Sequence, residues 1–426
     1  MVAASTLGVF MEWYDFFLAA TAALQIWPAI FFSGLSPILA IAVSYASFFI
    51  AYLTRPIGSI IFGHLGDKVG RKSTMIWTLL IAGICTLGIA VLPPYAEIGL
   101  LAPVSVIILR IAYGIGIGGE FGGASSWIAE FAAKSKRRAF WASFGMVVIP
   151  LGVTCSSAAF IVAQATLRPA DVVAWGWRVL FGLGALMLLV ALVIRYFTFE
   201  SPIFAELKQK QAVERSPAIQ VMKENWRSIL LLAAVILGPI YVGNVMSYPF
   251  VLGYWGALKI SPIFSNITIV IGYVFASVMV LVGAVLGDKF GRKVVLRFGI
   301  LWGLVMAVVF YPLINLMNPV GIVLAEALII GSTQFTLSVF PIVSAEYFST
   351  SRRFSGSGIS FQTGAFMNGM IAVFLVPVFV SISGGVLGAW PYLAAGGVIC
   401  TILSLAFLTR LRETRNIDIT SVQAKS

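Results

Sequence analysis

"GHLGDKVGRK", residues Gly63–Lys72, is a charged, glycine-bearing turn set between two long apolar runs. Most of it returns as "VLGDKFGRK", Val285–Lys293, so that Leu65 and Leu286 are equivalent at an offset of 221 residues. A second pair repeats in step. "AEF", Ala129–Phe131, recurs as "AEY", Ala345–Tyr347, at an offset of 216, and each is followed by a double arginine, Arg137–Arg138 and Arg352–Arg353. Half the chain is 213 residues. The sequence therefore reads as two parallel repeats, each with the charged turn after its second apolar run and the acid with two arginines after its fourth.

The runs themselves set the solvent. Of 426 residues, 60% are hydrophobic and only 10% charged, against about 25% charged in a soluble domain. So much apolar surface excludes a soluble fold and calls for lipid, where each helix of about 20 apolar residues satisfies its own backbone. Twelve spans are expected, near 6–32, 37–64, 73–92, 99–131, 139–166, 177–199, 228–256, 264–286, 294–314, 319–347, 355–382 and 389–409. The expected organisation is all-α: a six-helix bundle over 1–199, a charged cytoplasmic linker over 200–227, and a second six-helix bundle over 228–426 with a short cytoplasmic tail. Repeats of this kind serve transporters whose substrate lies between the halves.

The net charge of +12 is a topology signal, not a nucleic-acid surface. With the N-terminus inside, 23 of the 28 lysines and arginines face the cytoplasm, three face the other side, and Arg55 and Arg110 lie within spans. That bias places both ends in the cytoplasm of a cell membrane. No cleavable signal peptide is evident. Cys85, Cys155 and Cys400 lie in apolar runs without ligand or disulfide spacing, so no metal and no cofactor are expected. "GIGIGG", Gly114–Gly119, sits inside an apolar span and is no nucleotide loop. His64 is the sole histidine and no nucleophile–base pair is evident, so an enzyme is not expected.

Four stretches together resemble the metabolite–proton symporter family of the major facilitator superfamily: "EWYDFF" (Glu12–Phe17), "RPIGSIIFGHLGDKVGRK" (Arg55–Lys72), "RIAYGIGIGGEFGGA" (Arg110–Ala124) and "ESPIFAEL" (Glu200–Leu207). The resemblance covers essentially the whole chain. It implies proton-driven uptake of small polar metabolites, often carboxylates, and includes carriers of proline and betaine. It also implies that the repeated turn latches the halves on the cytoplasmic side. The residues concerned are Gly63, Gly66, Asp67, Gly70 and Arg71, with Asp288, Gly291 and Arg292 in the second half. Topological anchoring alone accounts for the same residues.

Six charges fall inside spans: Glu12, Asp15, Arg55, Arg110, Glu120 and Glu326. Each costs roughly 2.5–3.5 kcal/mol at the bilayer centre, which marks a substrate or ion path. Glu12 and Asp15 are three apart and share a helix face. Four acids against two bases leave a surplus of acid, as a proton-coupling site requires. Asp15 or Glu12 is the expected proton carrier, with Glu120 a further candidate and Arg55 or Arg110 the switching partner that holds an anionic substrate. A purely structural ion cluster explains the same residues, Glu120 and Arg110 especially, and the role of Glu326 stays open. Tyr14, Tyr241, Asn244, Tyr248, Gln334, Gln362 and Asn368 are candidates to complete the site, although packing hydrogen bonds between helices account for them equally. Glu130 with Arg137 and its neighbour Arg138, and Glu346 with Arg352 and Arg353, are expected as exposed, individually weak pairs that either gate or simply solvate the loops. Gly114, Gly118 and Gly122 recur every fourth residue, a spacing that admits a close helix.

The reading is a monomeric carrier of protons and a small organic anion. A zwitterion or sugar carrier is the nearest rival, and "VVIPLG" (Val147–Gly152) gives a faint hint of an efflux antiporter. A channel or transport-derived receptor is the alternative of another class.

Overall fold

A computed structural model describes residues 2–197, 200, 202–209, 216–248 and 250–419. Lys210, Glu214, Arg215 and Lys425 lie outside the described residues. Those described form helices and turns, with no strand among them. Twelve helices are long and apolar enough to cross a membrane: Thr6–Gln25, Leu39–Lys68, Arg71–Val91, Leu101–Phe131, Arg138–Thr166, Pro169–Tyr196, Trp226–Ala257, Pro262–Phe290, Arg292–Asn315, Pro319–Tyr347, Thr350–Ile382 and Trp390–Arg410. They match the apolar runs, and they are numbered here in chain order as the first to twelfth spans. Between the sixth and seventh lie two short helices, Pro202–Gln209 and Pro217–Glu224.

Local chemistry starts and stops these helices. Ser261 accepts from the Phe264 amide and Asn318 from the amides of Val320 and Gly321, so the eighth and tenth spans begin at side-chain caps followed by proline. Gly70 and Gly291, with φ of +145° and +108°, break the chain between the second and third and between the eighth and ninth spans. Gly66 does not form the expected turn. It is helical, and the Phe354 ring fills the place its Cβ would take, 2.3 Å away.

The halves meet along two seams, the second span against the eleventh and the fifth against the eighth. The eighth span is the repeat of the second and the eleventh of the fifth, so the seams are equivalent under a pseudo-twofold. Within the first half the four-residue glycine spacing acts as expected: a Cβ on Gly118 would lie 2.2 Å from the Arg55 carbonyl oxygen. Farther along the same face, a Cβ on Gly122 would stand 2.6 Å from the carbonyl oxygen of Phe354 in the other half.

Candidate functional site

Two small cavities lie where the halves meet, of about 20 and 30 Å³. Arg55 lines both, and it is the one basic side chain among the described residues that lines either. The larger takes Trp13, Phe17 and Tyr52 from the first half and Asn244, Tyr273 and Gln334 from the second. Asn244 belongs to a π-helical stretch, Val242–Ser247, that interrupts the seventh span. The smaller is lined by Glu12, Glu120 and Gln362. Arg55 is 1% exposed. Its guanidinium carbon lies 4.4 Å from the Tyr52 ring centre, 4.5 Å from Phe16 and 5.3 Å from Trp13. Its Nε and Nη2 have no hydrogen-bond partner among the described residues. Rings hold this cation in position while its donors stay uncommitted.

The intramembrane charges separate into distinct groups. Glu12 shares the smaller cavity with Arg55 and has Glu120, Arg55, Arg195 and Asp15 as electrostatic neighbours. Asp15 is fully buried, lines neither cavity, and has Arg110, Thr86 and Tyr113 around it in the core of the first bundle. Arg110 lies over the rings of Tyr113 and Trp27, at 4.6 and 5.6 Å. Glu120 is held from a third direction: it accepts from Arg195 Nη2 at 2.9 Å, Arg195 Nη1 at 3.2 Å and Thr78 Oγ1 at 2.9 Å.

Arg195 corrects the sequence reading, which placed it among the cytoplasmic loop charges. It is fully buried near the end of the sixth span and also donates to the Met75 carbonyl at 3.1 Å. The span interiors therefore hold four of these acids and three bases, and the first bundle is balanced. The remaining acid is Glu326, fully buried in the second half, where it accepts from Ser247 Oγ at 2.7 Å.

The neutral candidates divide as well. Asn244 and Gln334 line the larger cavity and Gln362 the smaller, where its Nε2 donates to the Gly118 carbonyl at 3.3 Å. Tyr14, Tyr241 and Asn368 line neither. Tyr14 packs near Gly184, where an added Cβ would lie 3.4 Å from its ring, Tyr241 donates to the Leu393 carbonyl at 3.2 Å, and Asn368 donates to the carbonyls of Leu237 and Gly364. Tyr248 ties the halves together instead, 2.7 Å from Thr21 Oγ1 and donating to the Phe17 carbonyl at 3.2 Å.

On the face that carries the termini, the repeated turns interlock. Asp67 accepts from the amides of Phe354 (3.2 Å) and Ser355 (2.8 Å), at the start of the helix Arg353–Met370. Asp288 accepts from the amides of Ala139 (3.0 Å) and Phe140 (2.9 Å), at the start of the fifth span. Each aspartate thus caps a helix of the other half, where a carboxylate is favoured. Each is also bonded by its own arginine, Arg71 at 2.7 Å and Arg292 at 3.0 Å. Close approach at Gly63, whose Cβ would lie 3.0 Å from the Ser355 Cα, lets the seam form.

The acid–arginine pairs are exchanged between halves, which the sequence reading did not foresee. Glu130 pairs with Arg353 at 3.2 Å and Arg71 at 3.4 Å; Glu346 pairs with Arg138 at 3.2 Å and Arg292 at 3.7 Å. These groups are buried, not exposed, so removing one partner would leave an uncompensated buried charge, a far larger penalty than the loss of a surface bridge. The second arginine of each doublet enters the network. Arg137 is exposed, and Arg352 pairs with Glu224 of the connecting helix Pro217–Glu224.

Two glutamates complete the symmetry. Glu200 accepts from the amides of Arg71 and Lys72 at 3.1 and 3.2 Å, and Glu413 from those of Arg292 and Lys293, both at 3.0 Å. Partial burial opposes ionisation of Glu413, but the amides of Lys293, Arg292, Arg415 and Thr414 outweigh it and hold its carboxyl below the usual range.

Comparison with known proteins agrees with this geometry. The family model for sugar (and other) transporters matches residues 1–230. The chain is 31% identical over 424 residues to the inner membrane metabolite transport protein YhjE of Escherichia coli (strain K12), covering 96% of this chain and 94% of that one. It is 29% identical over 410 residues to the shikimate transporter of the same organism, covering 94% and 92%. Its fold superposes on the proton:xylose symporter XylE bound to 6-bromo-6-deoxy-D-glucose with a TM-score of 0.76, at 18% identity over 99% of this chain and 98% of that one. Twelve apolar spans, two equivalent seams and a whole-length relative together identify a membrane transporter and not an enzyme: the chain belongs to the sugar (and other) transporter family.

Proposed function

We propose that the protein imports a small organic anion together with protons, by alternating access, as a monomer in the cell membrane with both termini in the cytoplasm. The observation that carries this reading is Arg55: a ring-held guanidinium with unpartnered donors, facing the cavities between the halves, with Glu12 across the smaller one. A carboxylate cargo supplies the acceptors that Arg55 lacks. Ionised Glu12 competes for the same cation. Loading a proton on Glu12 removes that competition, so proton and cargo favour each other through one shared group. The interlocked turns hold the cytoplasmic side shut, and cargo enters from the opposite side. In this reading Glu12 and Arg55 do the coupling, while the Glu120–Arg195 ion pair fixes the bundle around them.

The test is uptake into proteoliposomes under an imposed pH gradient, across a panel of labelled mono- and dicarboxylates. Wild type should concentrate at least one of them. Glu12→Gln should exchange that substrate without concentrating it, and Arg55→Gln should lose its binding. Concentrative uptake by Glu12→Gln would overturn the proton assignment, and undiminished transport by Arg55→Gln would overturn the anion reading. Asp15→Asn is the comparison: loss of coupling there alone moves the proton site to the bundle core. A zwitterion such as a betaine is the second reading, favoured by the rings of Phe17, Tyr273 and Phe361 in the larger cavity, and unlabelled betaine competes in the same assay if it holds.

A further inference from the structure

We infer that the protein carries a binding site for one anionic phospholipid on the outside of its second half, in the leaflet nearest the termini. An open groove of about 620 Å³ runs between the seventh, eleventh and twelfth spans. Leu230, Ala234 and Leu237 of the seventh span, Met367 of the eleventh and Leu403 and Phe407 of the twelfth line it. Two arginines stand at its polar end. Arg227 is at the start of the seventh span and Arg410 at the end of the twelfth.

These two arginines differ from those of the latch. Both are exposed, and neither forms an ion pair or hydrogen bond with a described residue. Each lies over a neighbouring ring, Arg227 over Trp226 at 5.3 Å and Arg410 over Phe407 at 5.8 Å. A tryptophan and two arginines at the end of apolar spans mark the level of lipid headgroups. Two unneutralised guanidinium groups there favour a phosphate that carries net negative charge.

The groove supplies the second half of the argument. From Arg227 to Leu237 the helix rises about 15 Å, which is about half the hydrocarbon thickness of a bilayer. One acyl chain laid along the apolar walls would run from the headgroup level to the middle of the membrane. Free phosphate would meet the arginines but leave the groove unused, so the occupant is a lipid. Two of the three helices around the groove also reach the central cavities: the seventh span carries Asn244 and the eleventh Gln362. A lipid here splints the back of the same helices whose inner faces line the cavity. The site stands independently of the cargo reading above.

The experiment uses the full-length purified protein, mixed with equal amounts of phosphatidylglycerol and phosphatidylcholine of matched chains and read by native mass spectrometry. Wild type should retain one phosphatidylglycerol with a preference of roughly tenfold or more, given two cations near the membrane surface. Arg227→Ala with Arg410→Ala should bring the ratio close to that of the mixture, and Arg227→Lys with Arg410→Lys should keep most of the preference. Ala234→Phe, which narrows the groove and leaves both charges, should lose the retained lipid and gives an answer even if the double alanine variant misfolds. Equal retention of the two lipids by wild type, an unchanged preference in the double alanine variant, or displacement of the retained lipid by inorganic phosphate at equal concentration would each overturn the proposal.

Discussion

Asp67→Asn should open the terminus-side face without unfolding the protein. Asp67 is fully buried and spans the seam, accepting two amides of the opposite half at 3.2 and 2.8 Å while bonded by Arg71 at 2.7 Å. Bonds to a charged acceptor are worth about 1.5–3 kcal/mol, neutral ones about 0.5–1.5, and a buried donor left without an acceptor costs about 1–3 kcal/mol. Asparagine keeps one acceptor oxygen and turns an NH₂ toward the other amide. The loss is therefore about 2–4 kcal/mol, and it falls on the closed state, since the seam groups meet water once the face opens. At 1.4 kcal/mol per factor of ten, the open population should rise roughly 30- to several-hundredfold. Ser355→Cys reports it, because Ser355 is fully buried in the seam, and its alkylation by a membrane-impermeant maleimide from the terminus side requires opening. Cys155, the exposed native cysteine, is replaced to clear the background. The labelling rate should climb by that factor in Asp67→Asn, and Asp288→Asn, the equivalent cap on the fifth span, should do the same. Rates within about threefold of wild type in both variants would refute the idea that these buried caps hold the face closed.

Other expectations follow from the same geometry. Arg195→Met leaves Glu120 buried without its cation and should destabilise the protein by about 3–5 kcal/mol, with most of the loss recovered when Glu120→Gln is added; thermal unfolding in detergent measures both. Gly118→Ala places a Cβ 2.2 Å from the Arg55 carbonyl oxygen, backbone against backbone, whereas nothing lies within 4 Å of the same atom at Gly253. The first should cost about 1–3 kcal/mol or more and reduce the yield of monodisperse protein, and Gly253→Ala should not. Glu413→Gln removes a capping carboxylate and should cost about 1 kcal/mol near neutral pH. Because folding lowers the Glu413 pKa, this contribution is fully present above about pH 4.5 and is lost as the pH falls through the lower folded value. The gap in melting temperature between wild type and Glu413→Gln should accordingly be constant from pH 6 to 8 and shrink below about 4.5.

The spans, the duplication and the location of the charged turns were legible because each is a local pattern: hydropathy counts residues along one helix, and the repeat needs no knowledge of packing. What the sequence hid is which partner a charge meets. Arg195 ends an apolar run next to Tyr196 and Phe197, and along the chain it looks like the first residue of a loop. Only the helix face decides that Tyr196 turns outward and Arg195 turns in toward Glu120. Arg137 and Arg138 are likewise neighbours in sequence, but Arg137 is the non-helical residue before the fifth span and Arg138 the first residue of its helix, so one meets water and the other crosses to Glu346. The exchange of Glu130 and Glu346 between halves follows from the seams, and a duplicated sequence scores a partner in its own half as readily as one in the other. Asp15 and Glu12 share a face by their spacing, yet three residues of rise are enough for one to meet the cavity and the other to meet Arg110.

The aromatic seat of Arg55 has a consequence for how tightly any anion can be held. A guanidinium that rests on ring faces keeps its place when Glu12 gives it up, so under the proposed coupling an arriving carboxylate meets a cation already aimed at it. Little of the free energy of docking is then spent on ordering the side chain, and more of it goes into contact with the guest.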